Sequence, residues 1–244
     1  MAISSPLSSR QTVAALLTLT AVTGLVDAVS YLRLGRVFVA NMTGNVVFLG
    51  FSADSHSGLS PAASVIAIAG FLLGALAGGR AAHALAARPG HWLASAFAGE
   101  AVILGVAATL TGTGVLPFAG SGRFATIAVL AMALGVQNST VRHLGAADLT
   151  TTVLTLTLTG VAADSALAGG PGARPHRRLG SVAAMLAGAA AGAGILQWSP
   201  TAVIAVAAAL VTVVAGAFLA ARPAAARAVP AAPLTVRPVV SRAA

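Results

Sequence analysis

Only five acidic residues stand in this 244-residue chain, and three of them, Asp27, Glu100 and Asp164, lie within or at the end of long apolar runs. A carboxyl group at mid-bilayer costs roughly 2.5–3.5 kcal/mol on insertion scales, so a chain this apolar is expected to discard idle ones. Asp27 is the first candidate. Thr20, Thr23, Asp27 and Tyr31 recur at helical spacing, which gives one segment a polar face turned toward a bundle or a cavity. Two chemistries fit: a substrate or ion site built on Asp27 and Tyr31, or a structural ion pair with Arg33 or Arg36. Glu100 falls about eight residues into its segment, about 12 Å along a helix at about 1.5 Å per residue. It could carry a proton for a coupled process, stay permanently protonated, or pair with Arg80 or Arg88. Asp54, beside His56, reads as a solvated loop residue, Asp148 as a first-turn or capping acid, and Asp164 as an interface partner for Arg174, Arg177 and Arg178.

The amides form the second set. Asn41 and Asn45 stand one helical turn apart with Thr43-Gly44 between them, so a loosened helix there would free carbonyls while the amides offer donors and acceptors. That pattern suits a solute site or gate in a discontinuous helix. It also suits interhelical bonding worth about 0.6 kcal/mol per bond in lipid. Gln137 and Asn138 open a similar cluster, with Arg142 four residues after Asn138 on the same helical face. Thr151, Thr155 and Thr159 share a face and supply hydroxyls, either to a solute or back to their own helix.

Enzyme signatures are absent. The five histidines are scattered, with no His-Glu-x-x-His pair, no carboxylate cluster at metal-ligand spacing and no phosphate-cradling glycine loop. The chain has no cysteine, hence no disulfide, thiolate site or cysteine nucleophile. We therefore expect a non-enzyme with no metal and no cofactor.

These polar residues are positioned by a medium that composition identifies. Residues of the AVILMFWYC set make up 57% of the chain and charged residues 8%, with a mean hydropathy of +0.92, too apolar for a wet-surfaced domain. The fold class expected is an all-α polytopic membrane bundle of six to eight transmembrane segments. The partner is the lipid bilayer, with an unknown small molecule or ion as substrate, and a homo-oligomer is allowed. All fourteen basic residues are arginines scattered at segment ends and in the tail, which argues against nucleic-acid binding despite the net charge of +9.

Eight apolar segments run approximately over 12–32, 37–53, 62–79, 92–114, 124–141, 149–167, 179–198 and 201–221, against the ~20 residues a spanning helix needs. Residues 1–11 form a cytoplasmic N-terminal segment; the first run holds Asp27 and no convincing cleavage site follows it. A first membrane repeat covers 12–116, a second 123–221, and an Arg-, Pro- and Ala-rich tail at 222–244 is expected to be disordered. The repeat rests on Gly24-Leu-Val-Asp27 through Gly35 against Gly135-Val-Gln-Asn138 through Gly145. Each is followed by a polar-studded segment and then a small-residue helix, with Gly70, Gly74 and Gly78 in one and Gly188 and Gly192 in the other. With eight spans and the N-terminus inside, nine arginines fall inside and five outside. With segments two and six re-entrant, eleven fall inside and three outside, and the halves become inverted copies. Both arrangements put the termini in the cytoplasm of a bacterial inner membrane.

The stretches Gly24-Leu-Val-Asp27-Ala-Val-Ser-Tyr31, Asn41-Met-Thr-Gly-Asn45, Gln137-Asn138-Ser-Thr-Val-Arg142-His-Leu-Gly145 and Asp148-Leu-Thr-Thr-Thr152 resemble the YoaK-like bacterial membrane family, a domain of unknown function. The resemblance covers about residues 12–221 and implies a membrane fold without naming a substrate. Leu156 departs from the family pattern, which carries Gly in a Thr-Gly-Thr run. If that Gly marks a helix break, the second half has lost it. The function expected is a small-molecule secondary transporter or permease that binds its solute near the interface of the two repeats. A passive channel and a non-transporting accessory or sensor protein are the alternatives.

Overall fold

The computed structural model describes residues 5–85, 89–145, 154–170 and 175–221. They form eight α-helices: α1 Ser9–Arg33, α2 Met42–Phe51, α3 Pro61–Ala84, α4 Pro89–Gly112, α5 Arg123–Leu144, α6 Leu154–Ala163, α7 Pro175–Ile195 and α8 Pro200–Ala220. A short 3-10 turn, Ala166–Ala168, follows α6. No strand occurs among the described residues, as expected for a chain whose backbone polar groups must be satisfied without water. Residues 146–153 with Asp148, residues 86–88 with Arg88, residues 171–174 with Arg174, and the tail from 222 lie outside the described set.

The helix starts follow from local chemistry. Ser8 and Gln11 close a capping box on α1, and Ser60 and Ser199 accept the N–H groups of Ala63 and Ala202 while Pro61 and Pro200 take the first helical position. At the far end of α5, Gly145 stops the helix at φ 69°.

Among the described residues, six helices are long and apolar enough to cross a membrane, while α2 and the described part of α6 are shorter. Ten residues of helix reach about 15 Å, half the hydrocarbon thickness. The expected segment 37–53 is thereby corrected: residues 34–41 are non-helical and only Met42–Phe51 coil. In segment 149–167 the described α-helix is Leu154–Ala163, and residues 149–153 lie outside the described set.

Small residues set the closest packing. Gly70, Gly74 and Gly78 of α3 meet Ala128, Met132 and Val136 of α5, and Gly188 and Gly192 of α7 meet Ala21 and Leu25 of α1. A β-carbon on Gly24 would strike the α7 backbone at Met185 and Ala189, and one on Gly135 the α3 backbone at Phe71 and Ala75. Where lipid is as apolar as a leucine side chain, such backbone approach drives association. Residue numbers rise together in both contacts, so α1 runs parallel to α7, and α3 parallel to α5. A third tight pair, α4 with α8, is antiparallel, with the Phe97 and Phe218 rings tilted against each other at 5.4 Å and Thr111 bonded to Thr201.

The direction of α2 follows. The Arg123 guanidinium at the start of α5 packs against Gly35, just past the end of α1, so α1 and α5 run antiparallel. Because α3 parallels α5, it begins on the face where α1 ends. The chain enters α2 and leaves it on one side. At the opposite face, His143 of α5 meets His83 of α3 and Trp92 of α4, while Arg177 of α7 bonds Ser9 of α1.

The innermost helix is α1, buried without interruption from Val22 to Ser30. Outward-facing Leu72, Leu73 and Leu76 on α3, Val102 and Val106 on α4, and Val213 on α8 form the lipid-side surface.

Candidate functional site

After Arg33 the helix cannot continue through Gly35 at φ 105° and Arg36 at φ 57°, and the chain turns back along α1 as an extended strip. Its backbone groups have lost their helical partners, so side chains must replace them. Asp27 Oδ1 accepts the N–H groups of Val39 at 3.0 Å and Ala40 at 3.1 Å, and Asn41 Nδ2 reaches Asp27 Oδ2 at 3.5 Å. Asn45, fully buried on α2, accepts the Phe38 N–H at 2.9 Å and donates to the Phe38 carbonyl at 2.6 Å. Asp27 is thus not paired with Arg33 or Arg36. Backbone amides hold it, and it is only 4% exposed.

Tyr31, Phe38 and Phe48 stack over this strip, with Tyr31 and Phe38 centroids 5.1 Å apart. Gly44 lies inside regular α2, where a β-carbon would stand 2.7 Å from the Phe38 ring. The glycine that the sequence suggested as a helix loosener serves instead to admit an aromatic ring. Beneath the rings is a cavity of about 260 Å³ lined by Gly24, Asp27, Tyr31, Phe38 and Asn41 on one wall and Met185, Ala189 and Ala193 of α7 on the other. Its walls are apolar except at Asp27, Tyr31 and Asn41, the mix of apolar surface and a few polar groups common to small-molecule pockets in general.

Residues 15–233 match the family model described as protein of unknown function, DUF1275. The chain belongs to this family. It is similar to the UPF0700 transmembrane protein YoaK of Bacillus subtilis strain 168, with 35% identity over 163 residues, covering 64% of this chain and 67% of the relative. No solved structure matches. With its transmembrane relative and its six apolar helices, this DUF1275 member is a multi-pass membrane protein.

Of the residues that its sequence singles out, Asp27, Tyr31 and Asn41 come together at the cavity, and Asn45 supports it through Phe38. Thr43 is exposed on α2 and does not line it. Gln137 is buried at the α1–α5 contact, where Nε2 donates to Thr23 Oγ1 at 2.9 Å and to the Leu19 carbonyl at 3.4 Å, one turn below Asp27. Asn138 bonds back to the Leu134 carbonyl at 2.9 Å. Arg142 is exposed at the opposite face from the strip, and Thr155 is exposed on α6, where Thr157 is the buried threonine. Glu100 is fully buried in α4, and neither carboxylate oxygen has a hydrogen-bond partner among the described residues. It is not paired with Arg80 as one reading had it. Asp164 meets Arg178 at 2.6 Å, the interface pair that its position suggested.

Sequence reasoning missed the other half of the site in this DUF1275 member. The backbone N–H groups of Val39 and Ala40 carry no side-chain signal. Met185 and Ala189 of α7 are ordinary helix residues that only packing brings to Asp27. Arg123 is missed too: with Arg33 and Arg36 it lines a second cavity of about 580 Å³ that shares Tyr31 and Leu32 with the first.

Proposed function

We propose that this protein is a secondary transporter or permease that binds a small solute between α1, the 34–41 strip and α7, with Asp27 as the central polar contact. The observation that carries the reading is the 260 Å³ cavity at a place where helix gives way to an extended strip held by buried side chains. Non-helical backbone at membrane depth is tolerated where it is buried in protein or lines a cavity, and transporters build their sites from such interruptions.

Two related halves support the same reading. The pair α1 with α7 has its counterpart in α5 with α3, down to Gly24 and Gly135 against the partner backbones, and α1 is antiparallel to α5. Halves of opposite direction suit a mechanism in which one set of helices rocks against the other and exposes the site alternately. Sidedness favours cytoplasmic termini in a bacterial inner membrane. Arg10, Arg80, Arg142, Arg177 and Arg178 gather at the face of the N-terminus, against Arg33, Arg36 and Arg123 at the other.

Asp27 serves both structure and solute in this scheme. One oxygen fastens the strip to α1, and the other is shared between Asn41 and the cavity, so an incoming cation or hydrogen-bond donor competes with the strip for the same carboxylate. Reconstituted into proteoliposomes, the wild-type chain should give saturable uptake of a solute from a panel of small metabolites. Asp27→Asn retains an acceptor for the strip but loses the charge, and should lower flux at least about tenfold with expression and melting temperature intact. Full flux in Asp27→Asn removes the proposed site. Unsaturable flux means a channel, and no flux with co-purification of another membrane protein means an accessory subunit.

A further inference from the structure

The second cavity is built from arginines. Its about 580 Å³ are lined by Tyr31, Leu32, Arg33, Gly35, Arg36 and Arg123, so three arginines border one space without an acid among the lining residues. They arrive from distant parts of the chain: two from the end of α1 and one from the start of α5. None of the three has a carboxylate within ion-pair reach among the described residues, where the ion pairs are Asp54 with His56 and Asp164 with Arg178. Like charges brought together repel, and the repulsion is relieved by an anion between them.

The cluster is also held in place. Arg33 Nη2 donates to the Leu196 carbonyl at 3.2 Å, beyond the end of α7. Arg123 packs its guanidinium 5.3 Å from the centre of the Phe124 ring and against Gly35, where a β-carbon would stand 3.3 Å from Cζ. The Arg123 Nε is buried and has no hydrogen-bond partner among the described residues. Arg36 sits at φ 57°, a left-handed backbone that a non-glycine residue takes only when its surroundings impose it. Its N–H is spent on the Tyr31 carbonyl at 3.1 Å, which fixes the turn that delivers the side chain.

Sidedness sharpens the point. In the orientation proposed above these three are the described arginines on the face where topogenic rules disfavour them, and the same three line one cavity.

We propose that Arg33, Arg36 and Arg123 form a binding site for a phosphate-type oxyanion. Planar guanidinium forks match the oxygens of such a group two at a time, and the site's place at the membrane border admits either a free phosphate-bearing solute or a lipid phosphate headgroup. Tyr31, common to both cavities, joins this vestibule to the Asp27 site. Binding here is read without flux, so its failure and that of the transport reading are separate results.

The test uses the full chain in a neutral detergent at low ionic strength, titrated with inorganic phosphate and with chloride as the matched control, and followed by calorimetry and thermal melting. A second arm compares nanodiscs of phosphatidylcholine alone with nanodiscs containing phosphatidylglycerol. Saturable binding of phosphate, weakened about tenfold or more in Arg36→Gln and Arg123→Gln but unchanged in Arg80→Gln, supports a soluble oxyanion. Stabilisation by phosphatidylglycerol alone, lost in the same two variants, supports the headgroup. Should Arg123→Gln fail to fold, the exposed Arg36→Gln carries the test. No response to either probe, or an equal response in the variants, overturns the proposal.

Discussion

Asn45 holds Phe38 by both sides of its peptide, accepting the N–H at 2.9 Å and donating to the carbonyl at 2.6 Å. A single side chain thus supplies the two hydrogen bonds that a helix would otherwise give this residue. The strip it holds carries Val39 and Ala40 to Asp27.

Asn45→Ala leaves two partly buried backbone groups without partners, at roughly 1–3 kcal/mol each. The variant should melt several degrees lower in detergent and lose transport together with stability. Asn45→Asp loses the donor and buries a carboxylate against the Phe38 carbonyl, and should melt at least as low as Asn45→Ala. A melting temperature for Asn45→Ala equal to wild type would mean that the clamp does not hold the strip.

Neighbouring glycines on α3 should respond in opposite ways. Gly74 faces the α5 backbone at Met132, and a methyl group there must push two helices apart. Gly79 meets nothing within 4 Å. Gly74→Ala is expected to cost about 1–3 kcal/mol through overpacking, whereas Gly79→Ala should be neutral or stabilising by up to about 1 kcal/mol. Denaturation midpoints of the two variants, measured side by side, check the packing of α3 on α5.

The return of α2 to its own side is testable because the chain has no cysteine of its own. Single cysteines at Ser9, Ser55 and Ala84 report the N-terminus, the α2–α3 loop and the end of α3. A membrane-impermeant maleimide applied to intact cells should label Ser55→Cys and spare Ser9→Cys and Ala84→Cys until the cells are opened. If Ser55→Cys and Ser9→Cys instead behave alike and Ala84→Cys differs, α2 crosses the membrane.

How much of this was legible beforehand varies with the feature. The helical spacing of Thr20, Thr23, Asp27 and Tyr31 pointed to a face turned into the bundle, and Thr20, Thr23 and Asp27 are buried. But α1 is buried all round from Val22 to Ser30, so the period did not reveal how central the helix is. The glycines four apart on α3 and α7 marked the close contacts, because only a missing side chain permits backbone approach. Asn41 and Asn45 were misread as two residues of one helix. Asn41 stands at the cap and Asn45 inside, and what separates their roles is the strip at 34–41, whose left-handed turn at Gly35 and Arg36 has no period to detect. Glu100 stood out by its rarity, yet nothing local to it could reveal that its oxygens would end without hydrogen-bond partners among the described residues.

The sequence by itself determined the medium and the inventory: a lipid-embedded, all-helical chain with few charges, each in a conspicuous place. Composition and period suffice for this, since they report the transfer of side chains from water and the face on which each lies. Only the tertiary structure decided that α2 returns to its own side, that Asp27 answers to backbone amides instead of arginines, and that Arg123 joins Arg33 and Arg36 around one cavity. Those outcomes depend on which helices pack and in which direction, and contacts between residues some ninety positions apart leave no trace in the local order of the chain.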